Sequence, residues 1–135
     1  MVEGEQEFRV FTLVEARSLI PTLRRLLARM AKARARLLDL RVEIDLAREQ
    51  ARYGGGSPAG PLYLKYMLAF TEAIQEIQEI GVHVKDFSNG LVDFPYEYEG
   101  RIVFLCWKPD EDEIRWWHET DAGFAGRRML TEEFE

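Results

Sequence analysis

A repeat of apolar residues between positions 19 and 51 constrains the fold of this chain more than any other sequence feature. The residues recur at alternating spacings of four and three, which is the 3.5-residue repeat of a coiled-coil seam. They are Leu19, Leu23, Leu26, Met30, Ala33, Leu37, Leu40, Ile44, Ala47 and Ala51. From Pro21 to Tyr53 such a helix would span about 50 Å at about 1.5 Å per residue. The spacing therefore predicts one long helix.

Two signals concern the beginning of this helix. Thr12 and Glu15 have the spacing of a capping box, in which the threonine hydroxyl accepts from the Glu15 N–H and the glutamate reaches back. Pro21 then interrupts the pattern, because proline removes a backbone donor. It either kinks the helix or starts a second helix after a short first piece.

A second, shorter helix follows a loop rich in glycine, serine and proline over residues 54–61. Its apolar pattern runs from Leu62 to a C-cap at Gly81, so residues 12–80 are predicted to form an antiparallel helical hairpin. This helix would cover the long helix only over about residues 34–52. The remaining seam needs another cover, either the C-terminal third of the chain or a second copy of it.

After Gly81 the hydrophobic period changes from 3.5 to 2, which is typical of strands. Four strands separated by turn signals are predicted at residues 82–87, 91–96, 101–107 and 113–118, with an optional short strand at 8–11. Residues 120–135 are interpreted as loop and extended coil. The predicted fold is α+β: a single domain over 1–135, with a three- to four-stranded antiparallel meander and a Gly/Arg tail over 82–128.

Turn lengths predict which strand residues face each other. A two-residue turn between the second and third strands pairs Asp93 with Cys106. A four-residue turn at 109–112 would then pair Cys106 with Arg115. In this register His118 lies on the core-facing side of the sheet and Cys106 lies on the other, and a slip by one residue would exchange the sides.

Cys106, His118 and Asp121 are ligand types suited to zinc or iron, with Asp93 or Glu119 as further candidates. However, the sequence has no CxxC, HxH or HExxH spacing, and the register separates the cysteine from the histidine. A metal site is therefore not favoured. For Cys106 alone, the alternatives are a reactive thiol and a small buried strand residue.

Gly123 and Gly126 precede Arg127 in a segment that could form an anion-binding nest for a phosphate or a carboxylate. The segment is not a GxxxxGK[ST] loop, so it does not indicate a nucleotide. In the alternative interpretation the glycines only bend the tail and Arg127 pairs with a nearby acid.

The net charge of −6 is divided unevenly. Residues 1–61 carry 11 Lys and Arg against 8 Asp and Glu, whereas residues 62–135 carry 7 against 16. The basic residues between Arg24 and Arg36 flank the seam, so ion pairing is favoured over nucleic-acid binding. One cysteine, no secretory signal and no membrane-length apolar run predict a cytoplasmic protein without membrane association.

Several segments together resemble the bacterial family catalogued as domain of unknown function 2203, over about residues 11–128. They are Phe11-Thr-Leu-Val-Glu-Ala16, Gly90-Leu-Val-Asp-Phe-Pro95, Val103-Phe-Leu-Cys-Trp107, Glu113-Ile-Arg-Trp-Trp-His-Glu119 and Gly123-Phe-Ala-Gly-Arg127. The resemblance implies a helical hairpin with a small sheet in a cytoplasmic bacterial protein, and no particular activity. Its motif positions include Asp93, Cys106, Trp107, His118, Gly123, Gly126 and Arg127.

The function predicted from these observations is a non-enzymatic protein-interaction module that forms a homodimer. Its interaction seam would consist of Leu19, Leu23, Leu26 and Met30, which the second helix is too short to cover. The alternative is a small metal- or anion-binding protein, including an enzyme of unassigned type. Its site would lie near Cys106, His118, Asp121 and Arg127. No cofactor is predicted except a divalent metal under this alternative, and another protein partner is an open possibility.

Overall fold

The computed structural model describes residues 9–51 and 59–135. Its three helices and five strands confirm the α+β class, with five antiparallel strands where three or four were predicted. The elements are α1 (Leu13–Ser18), α2 (Ile20–Ala51), α3 (Ala59–Ile80), β1 (His83–Asp86), β2 (Leu91–Tyr98), β3 (Arg101–Trp107), β4 (Trp116–Glu119) and β5 (Arg128–Met129). None of the helices in the described part of the chain has the length and hydrophobicity needed to cross a membrane.

The helical region begins as the sequence predicts. The Thr12 side chain accepts a hydrogen bond from the Glu15 backbone N–H, and the Glu15 carboxylate accepts from the Thr12 N–H, so the capping box is complete. The first helix ends at Ser18, and Pro21 lies in the first turn of α2. Proline is tolerated there because that N–H has no helical acceptor. Pro21 thus belongs to the start of a second helix and is not a mid-helix kink.

The second half of the hairpin begins earlier than the sequence indicated. Residues 59–61 belong to α3, whereas the predicted loop included them; residues 54–58 of that loop lie outside the described residues. Helix α3 ends at Ile80, and Gly81 follows with a φ of 100°, as expected for a C-cap glycine. Arg29 bonds to Glu76 while Ile44 lies near Tyr63, so α2 and α3 run antiparallel. Coiled-coil packing between them stays a prediction.

Helix α3 covers α2 beyond the predicted residues 34–52, since Glu76 of α3 bonds to Arg29, and the sheet completes the cover of the N-terminal part of α2. Leu23, Leu26 and Met30 are buried in one cluster with strand residues such as Phe94 and Leu105. Leu19 is partly buried against the same cluster. The residues named above as an interaction seam therefore form the core of their own chain and do not offer an exposed surface to a partner. The C-terminal third of the chain, together with the end of α3, provides this cover, which is one of the two alternatives that the sequence left open.

The β2–β3 hairpin has the predicted register. Glu99 and Gly100 form its turn with φ values of 50° and 77°. Tyr98 pairs with Arg101, and Asp93 pairs with Cys106. Positive φ at both central residues is the geometry that a tight two-residue hairpin requires.

The β3–β4 register differs by one residue from the prediction. Cys106 pairs with Trp116 and not with Arg115, because the connection is not a simple four-residue turn. In the backbone of this connection, the Glu111 carbonyl oxygen accepts hydrogen bonds from Trp107 Nε1 and from Arg24 of α2. The slip reverses the side-chain directions in β4, so the predicted placement of His118 on the core side is wrong.

The C-terminal tail is more structured than loop and extended coil. Residues 128–129 add β5 to the edge of the sheet, and a 3-10 turn at Glu132–Phe134 buries Phe134. The Phe134 ring stacks on Tyr98 with centroids 4.6 Å apart. At the other end of the chain, residues 9–11 form no strand, although the Phe11 N–H donates to the Pro95 carbonyl; Phe8 lies outside the described residues.

Candidate metal centre

The face of the sheet opposite the helices holds three potential metal ligands. Asp93 and Cys106 are direct neighbours on β2 and β3, and His118 extends from β4 on the same face, since side chains alternate along each strand. One donor atom from each residue lies within 4.8 Å of the other two. The three residues are only 1%, 0% and 4% exposed, respectively. Three strands thus bring an oxygen, a sulfur and a nitrogen together in a buried position.

The hydrogen bonds of His118 determine which ring nitrogen faces this cluster. Its Nδ1 lies 2.7 Å from the Glu119 carbonyl oxygen, which can only accept, so Nδ1 carries a proton and donates it. In the neutral ring Nε2 then has a free lone pair. This is the arrangement of metal-binding histidines, in which a carbonyl or carboxylate fixes the tautomer through the second nitrogen.

Nε2 of His118 points at another acceptor. Both carboxylate oxygens of Asp93 lie 3.1 Å from it. A lone pair and a carboxylate repel each other unless a proton or a metal cation lies between them. Burial raises the pKa of Asp93 above its usual range, against the opposing effect of His118, which favours the protonated form of the carboxyl group.

Cys106 is a neutral thiol in this environment. Burial, followed by the negative charge of Asp93, raises its pKa to about 12. The thiolate is the form that attacks electrophiles, so Cys106 is not an activated nucleophile at neutral pH. A bound cation reverses this situation, because coordination deprotonates a thiol directly.

An aromatic side chain, that of Phe104, lies next to the cluster. The Phe104 ring lies between two imidazoles, with its centroid 5.5 Å from that of His118 and 5.6 Å from that of His83. Beyond Phe104 is an open cleft of about 800 Å³, which is also lined by His83, Lys85 and Asp121. The Phe104 ring thus lies beside His118 of the cluster and also lines this open cleft.

Only some of the predicted metal ligands lie together in the structure. Cys106 and His118 lie in one cluster, although the predicted register placed them on opposite faces. Asp121 is exposed in the cleft and is not a member of the group, and Asp93 contributes the carboxylate. Asp93 was considered only as a further candidate. The signal that could have selected it was its correctly predicted pairing with Cys106.

The predicted anion nest has a different structure from the one expected. The Gly126 N–H donates to the Gly123 carbonyl, and the Arg127 N–H donates to the Phe124 carbonyl, so both groups are used inside a 3-10 turn. The Arg127 side chain pairs with Glu111, with both distances at 2.8 Å. This pairing is the alternative that the sequence left open for Arg127.

A family model described as "Uncharacterized conserved protein (DUF2203)" matches residues 9–130. This range contains all three ligands of the cluster and nearly all of the fold. The match confirms the resemblance noted in the sequence. No curated protein and no solved structure matches the chain.

Proposed function

The chain belongs to the uncharacterised DUF2203 family, and we propose from the geometry of the sheet that it is a binding protein for a divalent transition-metal ion. The observation that carries this proposal is the buried cluster of Asp93, Cys106 and His118, with the His118 Nε2 lone pair directed into it. Zinc(II) fits this donor set best, because zinc accepts thiolate, imidazole and carboxylate ligands together.

The present separations are close to those of a coordination sphere. Donor atoms around a tetrahedral zinc ion lie about 3.3–3.7 Å apart, calculated from its usual bond lengths. The Asp93 and His118 donors are already 3.1 Å apart, and all three donors lie within 4.8 Å. Small side-chain movements are therefore sufficient to enclose an ion. Zinc(II) with one carboxylate and one thiolate is electrically neutral, which lowers the cost of burying it.

Three protein donors leave one position of a tetrahedral ion open. In the described part of the chain, no fourth histidine, cysteine or carboxylate donor belongs to this group. Closed structural zinc sites use four protein ligands, whereas sites that bind a water molecule or a substrate use three. The donor count thus favours a site that binds an exogenous ligand.

The test is metal analysis of protein purified without a metal-affinity tag. We expect about one equivalent of bound metal, and a loss of affinity of more than about a hundredfold in Asp93→Asn and Cys106→Ser, since even outer-shell changes cost ten- to a hundredfold. Asp121→Asn is the matched control, because it removes an exposed carboxylate outside the cluster. Equal metal affinity in the two aspartate variants, or no stoichiometric metal in the parent protein, would contradict the proposal.

We also propose that the protein forms a homodimer, through a surface other than the seam of Leu19, Leu23, Leu26 and Met30. The outer part of the hairpin exposes large apolar side chains: Leu38, Val42 and Leu46 of α2, and Leu64 and Leu68 of α3. Each is about half exposed or more, and such a group of apolar residues favours association. Light scattering at micromolar concentration tests this proposal, with a dimer mass expected and a monomer mass contradicting it.

A further inference from the structure

The Arg127 side chain is held in a defined position beside the sheet. Its guanidinium carbon lies 5.1 Å from the centroid of the Trp116 ring and 4.8 Å from that of Phe124. Its Nη2 donates to both carboxylate oxygens of Glu111. The side chain is only 11% exposed. Arg127 is thus fixed by two rings and one carboxylate.

One nitrogen of this side chain has no acceptor. The Arg127 Nε–H is buried and makes no hydrogen bond, a situation shared in the described residues only by Nε of Arg17. Leaving a buried guanidinium donor without an acceptor is unfavourable, so such a group points to a ligand that completes it. The proposed metal site does not itself use Arg127.

Arg127 lies next to that metal site. Trp116, over which its guanidinium stacks, is the cross-strand neighbour of Cys106. Arg127 therefore stacks on the residue that directly neighbours Cys106 of the cluster.

We propose that Arg127 binds a small oxyanion, either a carboxylate or a phosphate, that also occupies the open position of the metal ion. This inference rests on the metal-binding function proposed above. An oxyanion has at least two oxygen atoms, so one can coordinate the metal while another accepts the Nε–H bond. The neutral metal cluster does not repel the anion, and the guanidinium attracts it.

The Glu111 carboxylate opposes this binding. It already pairs with Arg127 and carries the same sign of charge as the anion. Removing its charge should therefore strengthen anion binding, whereas removing the charge of Arg127 should weaken it. These opposite effects separate an anion site from a purely structural Arg127–Glu111 ion pair, for which both changes would act in the same direction.

The experiment uses the full chain loaded with cobalt(II), whose visible absorption reports its ligands. Acetate and inorganic phosphate are titrated separately, and a change in the absorption bands is expected for at least one of them. In Arg127→Gln we expect the affinity for that anion to fall about ten- to a hundredfold, which is the usual effect of one charged hydrogen bond. Arg128→Gln is the matched control, because Arg128 is exposed and stacks on Trp117 on the core face.

Glu111→Gln provides the decisive second variant and also serves if Arg127→Gln does not fold. We expect it to bind the anion more tightly than the parent protein. Cobalt binding without any spectral response to either anion, or weaker anion binding in Glu111→Gln, overturns this inference and leaves the metal site intact. A protein that binds no cobalt overturns the metal site and this inference together.

Discussion

The sheet buries side chains on both of its faces, but the two faces differ in chemistry. On the face toward α2, Val92, Phe94, Val103 and Leu105 join an apolar cluster. On the opposite face, Asp93 and His118 are buried beside Cys106. The first face is stabilised by the removal of apolar surface from water, whereas on the second face that gain is reduced by the cost of burying polar groups. Stability alone does not explain the second face.

Both faces also contain a polar group paired with a carboxylate. On the core face, Tyr98 donates to Glu133 at the rim of the sheet, near solvent. On the opposite face, the Asp93–His118 pair lies in the interior. The core face thus places its polar group where water reduces the cost of burial. Under the proposed function, the other face retains its polar groups in the interior in order to bind a metal ion.

The largest effect on stability is expected on the core face. Leu105→Ala should lower the free energy of unfolding by about 2–5 kcal/mol, because Leu105 is fully buried and its truncation leaves a cavity. Chemical denaturation measures this loss. Metal affinity of the folded variant should be unchanged. Leu64→Ala is the control, since Leu64 is 61% exposed and its change should stay within about 0.5 kcal/mol. Metal loss in Leu105→Ala comparable to that in Asp93→Asn would contradict the separation of the two faces.

An intermediate effect is expected for the buried polar pair in the metal-free protein. His118→Phe removes the imidazole partner of the Asp93 carboxyl and should cost about 1–3 kcal/mol. Adding Asp93→Leu removes that carboxyl group, so the double variant should be more stable than His118→Phe alone. A double-mutant cycle by denaturation measures this recovery.

The core face supplies the control for this cycle. Leu105 and Trp117 are cross-strand neighbours, and replacing both by alanine should cost more than either single change. If the Asp93 and His118 variants behaved in the same way, the pair would be an ordinary structural contact, and the contrast between the faces would fail.

The smallest effect is the pH response of Tyr98. Its hydrogen bond to Glu133, assisted by burial and by the negative charge of that residue, raises the pKa of Tyr98 to about 12. Because the folded-state pKa is the higher one, the stabilising contribution is complete below about pH 10 and is lost as the pH rises through about 12. Ultraviolet titration should show that Glu133→Gln returns the pKa of Tyr98 toward 10. An unchanged tyrosine titration in that variant would exclude the assigned cause.

Features determined by local sequence were predicted correctly. The Thr12–Glu15 cap, the helix end at Gly81 and the β2–β3 register each depend on residues within a few positions of each other. The β3–β4 register depends on distant residues, because Arg24 of α2 donates to carbonyl oxygens of the connecting loop. Phe134 in the tail likewise becomes buried through rings far away in sequence.

Prediction of the candidate site from the sequence has the same limit: local features were found, and those that depend on distant residues were not. Pairing of Asp93 with Cys106 followed from a two-residue turn, so two of its three ligands were placed together from the sequence. His118 was assigned to the wrong face because its direction depends on whether the intervening loop contains an even or odd number of residues. The sequence identified His118 as a possible metal ligand, but the direction of its side chain could be known only from the folded loop.

The length of the β3–β4 connection has a consequence for how this protein tolerates insertions and deletions. Surface loops usually accept a change of one residue. Here, a single deletion that kept β3 and β4 paired would turn Trp117 toward Cys106 and direct His118 into the apolar core. Chains of this fold can therefore vary the residues of this loop, but a one-residue change in length that shifts the β3–β4 register removes His118 from the three-residue cluster.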